Sequence, residues 1–382
     1  MKPIVYNLSS IRPPITGIGR YAIELIRTAK HFDHDVRAYV AGEIRSGQDL
    51  VDILEQMDAA QPHSNYRLKE LVGKLPYARE IYRKLQSIKY SKMLAQADLE
   101  DFITHDLNYS APTSDVVTAY DVSHIICPQT HPRYRVDFLH DYFNKIKYNQ
   151  SHILTISQHV KDELVSYYDI SPQRISVTHL AADSAFKPRR ENACQQFLSD
   201  NGLEYKKFVL CLATREPRKN LGACIESYSK LPTQLRMKFP LVIAGATGWK
   251  ADDLENQISQ LESRGEIIDL GYVEQTKLPL LYSSATAFIF PSFYEGFGLP
   301  LLEAMQSGCA SITSSNGALA EVSNNAAIQI DPSDTQSLTS ALEGLLNNIE
   351  HRKLLENQCI ERASDFSWQS TVERTFRIYE SL

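Results

Sequence analysis

Short apolar runs alternate with amphipathic segments along the chain. Runs of strand length include PIVYNL, DVRAYV, VVTAY and HILTIS in the first half and KFVLCLA, PLVIAG, EIIDLG and TAFIF in the second. Segments with apolar residues at helical spacing, such as YAIELIRTAKHF and LGACIESYSKL, lie between them. This alternation is typical of parallel sheets joined by helical crossovers, so the pattern predicts an α/β fold.

The alternation forms two series, which a polar segment near residues 183–196 separates. A chain of 382 residues is too long for one ordinary hydrophobic core. We therefore expect two Rossmann-like domains, with ligands bound at the carboxyl ends of the strands in the cleft between them.

Composition and charge argue against several classes of protein: nucleic-acid-binding, secreted and membrane-spanning proteins. A net charge of −6 argues against general nucleic-acid binding. The six cysteines are scattered without a CxxC pair, which predicts buried thiols in a reducing compartment. The N-terminus MKPIVYNLSS is unlike a signal peptide, and no stretch approaches 18 apolar residues. A cytoplasmic protein is expected.

The stretch FYEGFGLPLLEAMQSG, residues 293–308, carries two carboxylates eight residues apart. The apolar run AFIF before it predicts a buried strand, and Pro300 suits the first turn of a helix. We therefore expect Glu295 in a strand-to-helix loop and Glu303 in the first helical turn. Gly296 and Gly298 would allow a ligand to approach the backbone closely.

A second stretch, ATREPRKNLGACIESY, places Arg215, Arg218 and Lys219 where the strand KFVLCLA gives way to a helix. Cations and helix N–H groups can converge there on a diphosphate; the alternative is a solvated basic loop. Because a carboxylate can accept two hydrogen bonds from a vicinal diol, the glutamates suit sugar hydroxyls. Together these stretches suggest a sugar nucleotide.

A third stretch, TGIGRYAIEL, places Gly17 and Gly19 before an amphipathic helix. It predicts a backbone cradle for phosphate. Because the run also fits GxGxxA, a nicotinamide-binding turn is an alternative, although SSIRPPI separates it from the first strand. A merely structural turn is the other alternative.

EGFGLPLLEAM resembles the E-x7-E signature of glycosyltransferase family 4, and EPRKNL resembles the phosphate-binding loop of that family. The order of motifs matches over nearly the whole chain and is similar to the bacterial mannosyltransferase branch of surface polysaccharide synthesis. The resemblance implies a GT-B fold, retention at the anomeric carbon and neither a required metal nor another cofactor. It also implies an acceptor-side domain over 1–185, a donor domain over 186–365 and a closing helix over 366–382 that returns to the first domain.

Residue by residue, the resemblance implies that Glu303 binds the donor ribose and Glu295 lies against the transferred sugar. Arg218 and Lys219 would neutralise the diphosphate. Further donor contacts implied by the family pattern are Gly17, Gly19, Thr214, Tyr272, Val273, Gly296, Phe297, Gly298 and Leu299, and Asp121 is implied in catalysis.

Two positions depart from the family pattern. Many members have His-Asp where this chain has Tyr120 and Asp121, which leaves the sugar contact of Tyr120 open. Many carry arginine where Thr214 stands. His105 is a candidate to supply the missing sugar contact, with a structural histidine as the alternative.

The expected reaction is transfer of a hexose, mannose from GDP-mannose, to a glycan or lipid-linked glycan during O-antigen synthesis. The alternatives are a GT-B epimerase acting on sugar nucleotides, a transferase using UDP- or TDP-sugars, a dehydrogenase and a non-catalytic sugar-nucleotide binding protein.

The segment 66–93 differs in charge from the rest of the chain, with eight basic residues against two acidic ones. Tyr77, Ile81, Leu85 and Ile88 recur there at helical spacing. This predicts docking on an anionic membrane surface. The alternative is a helix that packs this stripe on its own sheet.

Overall fold

The computed structural model describes residues 2–9, 11, 17–32, 34–40, 42–59, 85, 88–95, 101–245 and 258–382. It divides into two compact units, Met1–Leu180 with Trp368–Leu382 and Ala181–Ser367. The division lies five residues before the boundary expected from the sequence. Most of the cationic segment 66–93 falls outside the described residues.

The first unit contains a seven-stranded sheet in the order β3-β2-β1-β4-β5-β6-β7. Neighbouring strands are parallel except for β2 and β3, which pair antiparallel at one edge. Strands β1 and β5 are buried along their whole length, which explains their continuous apolar character. The strands are β1 (Ile4–Asn7), β2 (Val36–Val40), β3 (Glu43–Ser46), β4 (Ile103–Asp106), β5 (Val116–Ala119), β6 (His152–Thr155) and β7 (Ile175–Val177).

The helices of this unit include one that is remote in sequence, Trp368–Glu380, which contacts the helix Gly17–His31. The remaining helices with defined bounds are Gly47–Ala59, Ser123–Ile126, Arg133–Asn149 and Gln158–Tyr168, with 3₁₀ turns at Pro128–Thr130 and Pro172–Arg174.

The second unit contains a six-stranded, all-parallel sheet in the order β10-β9-β8-β11-β12-β13. After β8 the chain adds β9 and β10 on one side and then returns to place β11 on the other. The carboxyl ends of β8 and β11 therefore flank the point where the strand order reverses, which is where open α/β sheets bind ligands. The strands are β8 (Val209–Leu212), β9 (Leu241–Ala244), β10 (Ile267–Gly271), β11 (Ala287–Phe290), β12 (Ser311–Ser314) and β13 (Ile328–Ile330).

The helices of the second unit follow the crossover pattern that the sequence predicts. They are Glu191–Asp200, Leu221–Ser229, Thr233–Lys238, Leu278–Ser284, Leu299–Gln306, Gly317–Ser323, Thr335–Asn347 and Ile349–Ala363, with a 3₁₀ turn at Pro217–Lys219. The predicted α/β fold with two parallel sheets is confirmed.

A buried polar chain fastens the C-terminal helix to the first sheet. The Nδ1 atom of His105 lies 2.6 Å from the Tyr379 hydroxyl, and its Nε2 atom lies 2.8 Å from the Thr118 hydroxyl. The Tyr379 hydroxyl also donates to the Tyr6 hydroxyl at 3.2 Å. Because a buried polar group without a partner is costly, these bonds fix the position of the helix on β1, β4 and β5.

His105 makes the stability of the first unit depend on pH. Burial lowers the pKa of His105 to about 3, whereas the unfolded side chain has its ordinary value near 6.5. The unfolded state therefore binds the extra proton as the pH falls through about 6.5, and stability is lost down to about pH 3. We expect His105 to contribute a slope of about 1.4 kcal/mol per pH unit in this window.

Urea unfolding at about pH 7 and about pH 5 measures this contribution. His105→Gln should lower stability at neutral pH but flatten the loss on acidification, because its side chain takes up no proton. His351→Gln, which replaces an exposed histidine, is the control and should retain the wild-type pH dependence. Parallel pH profiles for wild type and His105→Gln would contradict the prediction.

Candidate functional site

Two loops meet at the reversal point of the second sheet. One joins β8 to the helix Leu221–Ser229, and the other joins β11 to the helix Leu299–Gln306. The backbone N–H of Phe293 donates to the carbonyl of Arg218 at 2.9 Å. The side-chain amide of Asn220 donates to the carbonyl of Pro291 at 3.0 Å. The loops that carry the EPRKN and E-x7-E motifs therefore form one site.

Four charged side chains, Glu216, Arg218, Lys219 and Glu295, form a buried group that we term the ion cluster. The Nζ atom of Lys219 lies 2.6 Å from Glu295, and Nη1 of Arg218 lies 3.2 Å from the same carboxylate. The Nη2 atom of Arg218 donates to Glu216 at 2.9 Å. Their side chains are only 8% to 14% exposed. Two cations and two carboxylates give the cluster no net formal charge.

The cations of the cluster set the ionisation of Glu295. Burial by itself would raise the pKa of this carboxyl group, but Lys219 and Arg218 outweigh burial and lower it below its usual range. Glu295 is therefore ionised at neutral pH and holds both cations at the loop junction.

A tight turn brings the two cations to Glu295. Pro217–Lys219 forms a 3₁₀ turn, and Asn220 after it is left-handed with φ of 58°. The amide of Asn220 also donates to the carbonyl of Pro332 at 2.7 Å, so the turn is fastened on two sides. The Lys219 ammonium lies 5.5 Å from the centre of the Phe290 ring, within range of a cation–π contact.

Arg215 does not join this cluster. It is buried and pairs with both carboxylate oxygens of Asp269 at 2.5 Å. The alternative of a solvated basic loop is wrong for this residue and for Arg218 and Lys219, because Asp269 on β10 compensates Arg215 and the loop carboxylates Glu216 and Glu295 compensate the other two.

Glu303 lies in the second turn of its helix, whereas the motif predicts the first turn. The helix begins at Leu299, one residue before Pro300, so Glu303 falls in the second turn, and the expectation of a first-turn position is wrong. The carboxylate is buried and accepts a hydrogen bond from the Tyr282 hydroxyl at 3.2 Å. Tyr282, which is fully buried, therefore orients Glu303.

Glycine is required at Gly298, the residue before the helix. Its φ is 107°, and a Cβ atom there would lie 2.5 Å from Cδ2 of Leu319. Phe297 next to it is buried and packs edge-to-face on Phe366 at 5.8 Å. The Phe297 side chain thus belongs to the core, and only its backbone is available to the predicted cradle, together with Gly296 and Leu299.

The remaining predicted base and phosphate contacts follow strand ends of the same sheet. Tyr272 is 66% exposed and Val273 half-buried, directly after β10. Thr214 is exposed after β8. Thr214 thus follows β8, and Tyr272 and Val273 follow β10. Both strands lie on the β9 side of the reversal point.

In the first unit, Gly17 and Gly19 lie within the first turn of the helix Gly17–His31 rather than before it, which corrects the predicted loop. Asp121 accepts bonds from the backbone N–H and the hydroxyl of Ser123 at 3.0 and 2.7 Å. The same hydroxyl lies 2.8 Å from Nε2 of His131.

The two candidate sugar contacts of this unit, Tyr120 and His105, have side chains that are bonded within the protein. Tyr120 is buried, and its hydroxyl donates to the carbonyl of Leu107 at 2.8 Å. His105 is fully buried with both ring nitrogens engaged, so the alternative of a structural histidine is the correct one. Neither side chain presents a polar atom to a ligand.

Three residues that bond within the site were not predicted from the sequence: Glu216, Asn220 and Tyr282. Glu216 and Asn220 flank the predicted cations in EPRKN, and a carboxylate two residues before Arg218 was a usable signal. Tyr282 had no such signal, because it lies 21 residues from Glu303 on another helix.

Several general features of the chain concern metals, membranes and thiols. Within the described ranges, no group of three or more His, Cys, Asp or Glu side chains is arranged to hold a metal ion. No helix of the described chain is long and apolar enough to cross a membrane. All six cysteines are buried and unbridged, as their spacing predicts.

Gly298→Ala should destabilise the second unit by about 1–3 kcal/mol, because the methyl group meets Leu319 and the left-handed backbone disfavours alanine. Chemical unfolding measures the change. Gly222→Ala is the matched control, since Gly222 lies in a helix with open space around it. It should leave stability unchanged or raise it slightly. Equal effects of the two substitutions would contradict the requirement for glycine.

Comparison with known proteins places this site in a family. Residues 196–363 match the family model described as Glycosyl transferases group 1. The chain is 32% identical over 390 residues to O-antigen chain mannosyltransferase B from Escherichia coli, covering 99% of this chain and 100% of that protein.

Two solved structures resemble the fold over nearly the full length. WaaG, a glycosyltransferase involved in lipopolysaccharide biosynthesis, has a TM-score of 0.73 at 18% identity and covers 98% of this chain and 99% of its own. Anabaena HepE in complex with UDP-glucose has a TM-score of 0.74 at 16% identity over 100% of both chains. The chain belongs to the group 1 glycosyltransferases and has their GT-B fold of two Rossmann-like domains.

Proposed function

We propose that the enzyme is a retaining mannosyltransferase that moves mannose from GDP-mannose to a glycan or lipid-linked glycan in O-antigen synthesis. The observation that carries the proposal is the ion cluster at the reversal point of the second sheet, since cations there suit a diphosphate and carboxylates suit sugar hydroxyls. The full-length similarity to an O-antigen chain mannosyltransferase supports the choice of sugar.

The cluster suggests how donor binding prepares the site. An incoming diphosphate competes with Glu295 for Lys219 and Arg218, because phosphate oxygens accept the same charge-assisted bonds as a carboxylate. As the cations turn towards phosphate, Glu295 can accept hydrogen bonds from hydroxyls of the transferred sugar. The diphosphate and the carboxylate thus exchange partners within one buried group.

Glu303 is proposed to bind the ribose diol of the donor. A carboxylate can accept two hydrogen bonds from a vicinal diol, and the bond from the Tyr282 hydroxyl orients this one. Tyr272 and Val273 are proposed to hold the base, Thr214 to contact the phosphates, and Gly296, Phe297, Gly298 and Leu299 to provide the backbone cradle. In the first unit, Gly17 and Gly19 remain predicted donor contacts and Asp121 a predicted catalytic residue.

The proposed chemistry is stabilisation of the departing diphosphate by side chains and helix N–H groups, without a metal. Negative charge grows on the leaving oxygen as the glycosidic bond breaks, and Lys219 and Arg218 are buried where such charge interacts strongly. In the donor complex Glu295 is proposed to accept hydrogen bonds from sugar hydroxyls, so no side chain is assigned as the nucleophile of a double displacement. The proposal is therefore front-face attack by the acceptor hydroxyl with retention of configuration.

A donor panel with EDTA present tests the proposal. Purified enzyme, an O-antigen-type mannan acceptor and GDP-mannose should yield mannosylated product, whose anomeric configuration by NMR matches that of the donor. Preference for UDP- or TDP-sugars would instead support the alternative donors, and epimer release without acceptor would support an epimerase. Loss of all activity with EDTA would refute metal-free leaving-group stabilisation.

Variants separate the roles of the charged residues. Glu303→Ala should raise the donor KM, because ribose binding is present in ground and transition states alike. Glu295→Ala should mainly lower kcat. Lys219→Ala should cost about 3 kcal/mol of transition-state stabilisation. Steady-state kinetics with varied GDP-mannose measure all three.

The matched control is Lys230→Ala, which removes a lysine paired with Glu226 at 2.7 Å on the surface of the same unit. It should leave kcat and KM unchanged. Should Glu295→Ala and Glu303→Ala both alter KM alone, the separate roles assigned to the two carboxylates would be wrong.

An anionic membrane surface remains the proposed second partner, through segment 66–93. Leu85 and Ile88, the stripe residues that are described, are 51% and 52% exposed. Tyr90 instead packs against Val5 and Tyr39 of the first sheet. The alternative in which Leu85 and Ile88 pack on that sheet is therefore wrong for these two residues.

A further inference from the structure

Glu216 is a buried carboxylate without a role in the reaction outlined above. It lies between β8 and the turn Pro217–Lys219, and its side chain is 8% exposed. Its Oε1 atom accepts a hydrogen bond from Nη2 of Arg218 at 2.9 Å. A carboxylate at this position is unexpected in a site that must attract a diphosphate, because like charges repel.

The two Nη atoms of the Arg218 guanidinium group donate to different partners. Nη1 donates to Glu295 at 3.2 Å and to the Tyr294 carbonyl at 2.8 Å, while Nη2 donates to Glu216. If a diphosphate displaces Glu295, only the Nη1 half loses a partner. Glu216 remains in place, and because a guanidinium is planar, one fixed edge determines where the other edge points.

The charge of Glu216 also sets the net charge of the ion cluster. Without it, the ion cluster would carry one positive charge in a buried place, where charges interact more strongly than in water. Such a site would hold a nucleoside diphosphate most tightly after the sugar has left, when the diphosphate carries its full charge. Tight binding of the product slows the release step that limits many enzymes.

We propose that Glu216 is a positioning residue that fixes Arg218 and a counter-charge that weakens the hold on the nucleoside diphosphate so that it can leave. The proposal rests on the proposed function, in which Arg218 and Lys219 bind the diphosphate. In this proposal, Glu216 makes the site bind the transition state more tightly than the nucleoside diphosphate product. Binding both equally tightly would not accelerate turnover.

Calorimetric titration with GDP and with UDP tests the proposal. Glu216→Gln keeps the shape of the side chain and removes its charge. It should bind the preferred diphosphate about tenfold more tightly than wild type. The inhibition constant for that diphosphate should fall by the same factor, and kcat should fall. A merely structural role would weaken binding or leave it unchanged.

Glu266→Gln is the matched control. Glu266 pairs with Arg236 at 2.8 Å, and the two side chains are 13% and 17% exposed, similar to Glu216 and Arg218. The pair lies at the amino end of β10, away from the ion cluster. Loss of this charge should leave the affinity for GDP and UDP unchanged, although it removes a comparable buried ion pair.

Glu216→Asp supplies a second variant. It retains the charge and shortens the side chain, so it should bind the diphosphate like wild type and turn over more slowly, because Arg218 is less well oriented. Unchanged or weaker binding by folded Glu216→Gln overturns the proposal, as does tighter binding by Glu216→Asp. If wild type binds neither GDP nor UDP, the diphosphate assignment of the proposed function fails, and this proposal fails with it.

Discussion

Two cations and two carboxylates are buried together where β8 and β11 end, and this ion cluster determines the arrangement of the site. A buried charge without a partner costs several kcal/mol, so Lys219 and Arg218 can be buried here only with Glu216 and Glu295 beside them. The contacts of Lys219 and Arg218 with Glu295 span 76 and 77 residues of sequence, and they join the loops after β8 and β11. The ion pairs that make burial of the cations possible therefore also fix the positions of the two loops.

The backbone around the cluster is arranged to permit these contacts. Asn220 adopts a left-handed conformation that ends the turn and frees its amide to reach two carbonyls of other loops. Gly298 precedes the next helix with a φ of 107° that disfavours any side chain, and a Cβ atom there would lie 2.5 Å from Cδ2 of Leu319. The loops that carry the ion cluster are thus held by hydrogen bonds that do not involve its charged side chains. In the proposed function, the ion pairs can therefore exchange partners while the loops stay in place.

The sequence predicts the fold and the motif residues well, because both depend on local pattern. Apolar runs identify the strands, and EPRKN and E-x7-E place their charged side chains at adjacent strand ends. The prediction is wrong for His105 and Tyr120 because their surroundings are not local. His105 is covered by Tyr379, 274 residues away, and Tyr120 bonds to a carbonyl of the neighbouring connection. Tyr282 and the early start of the helix at Leu299 likewise depend on packing between elements.

The chain leaves the first unit at Leu180 and returns to it only at Trp368, which has a consequence for synthesis on the ribosome. The second unit is complete once residue 367 has emerged, whereas the first still lacks the helix that covers His105 and Tyr6. At about 5–20 residues per second, the partly formed first sheet waits roughly 10–40 s with His105 and Tyr6 uncovered. The unit whose synthesis starts first is therefore completed last, and a chaperone that shields nascent chains would meet its uncovered β1 and β4 during that interval.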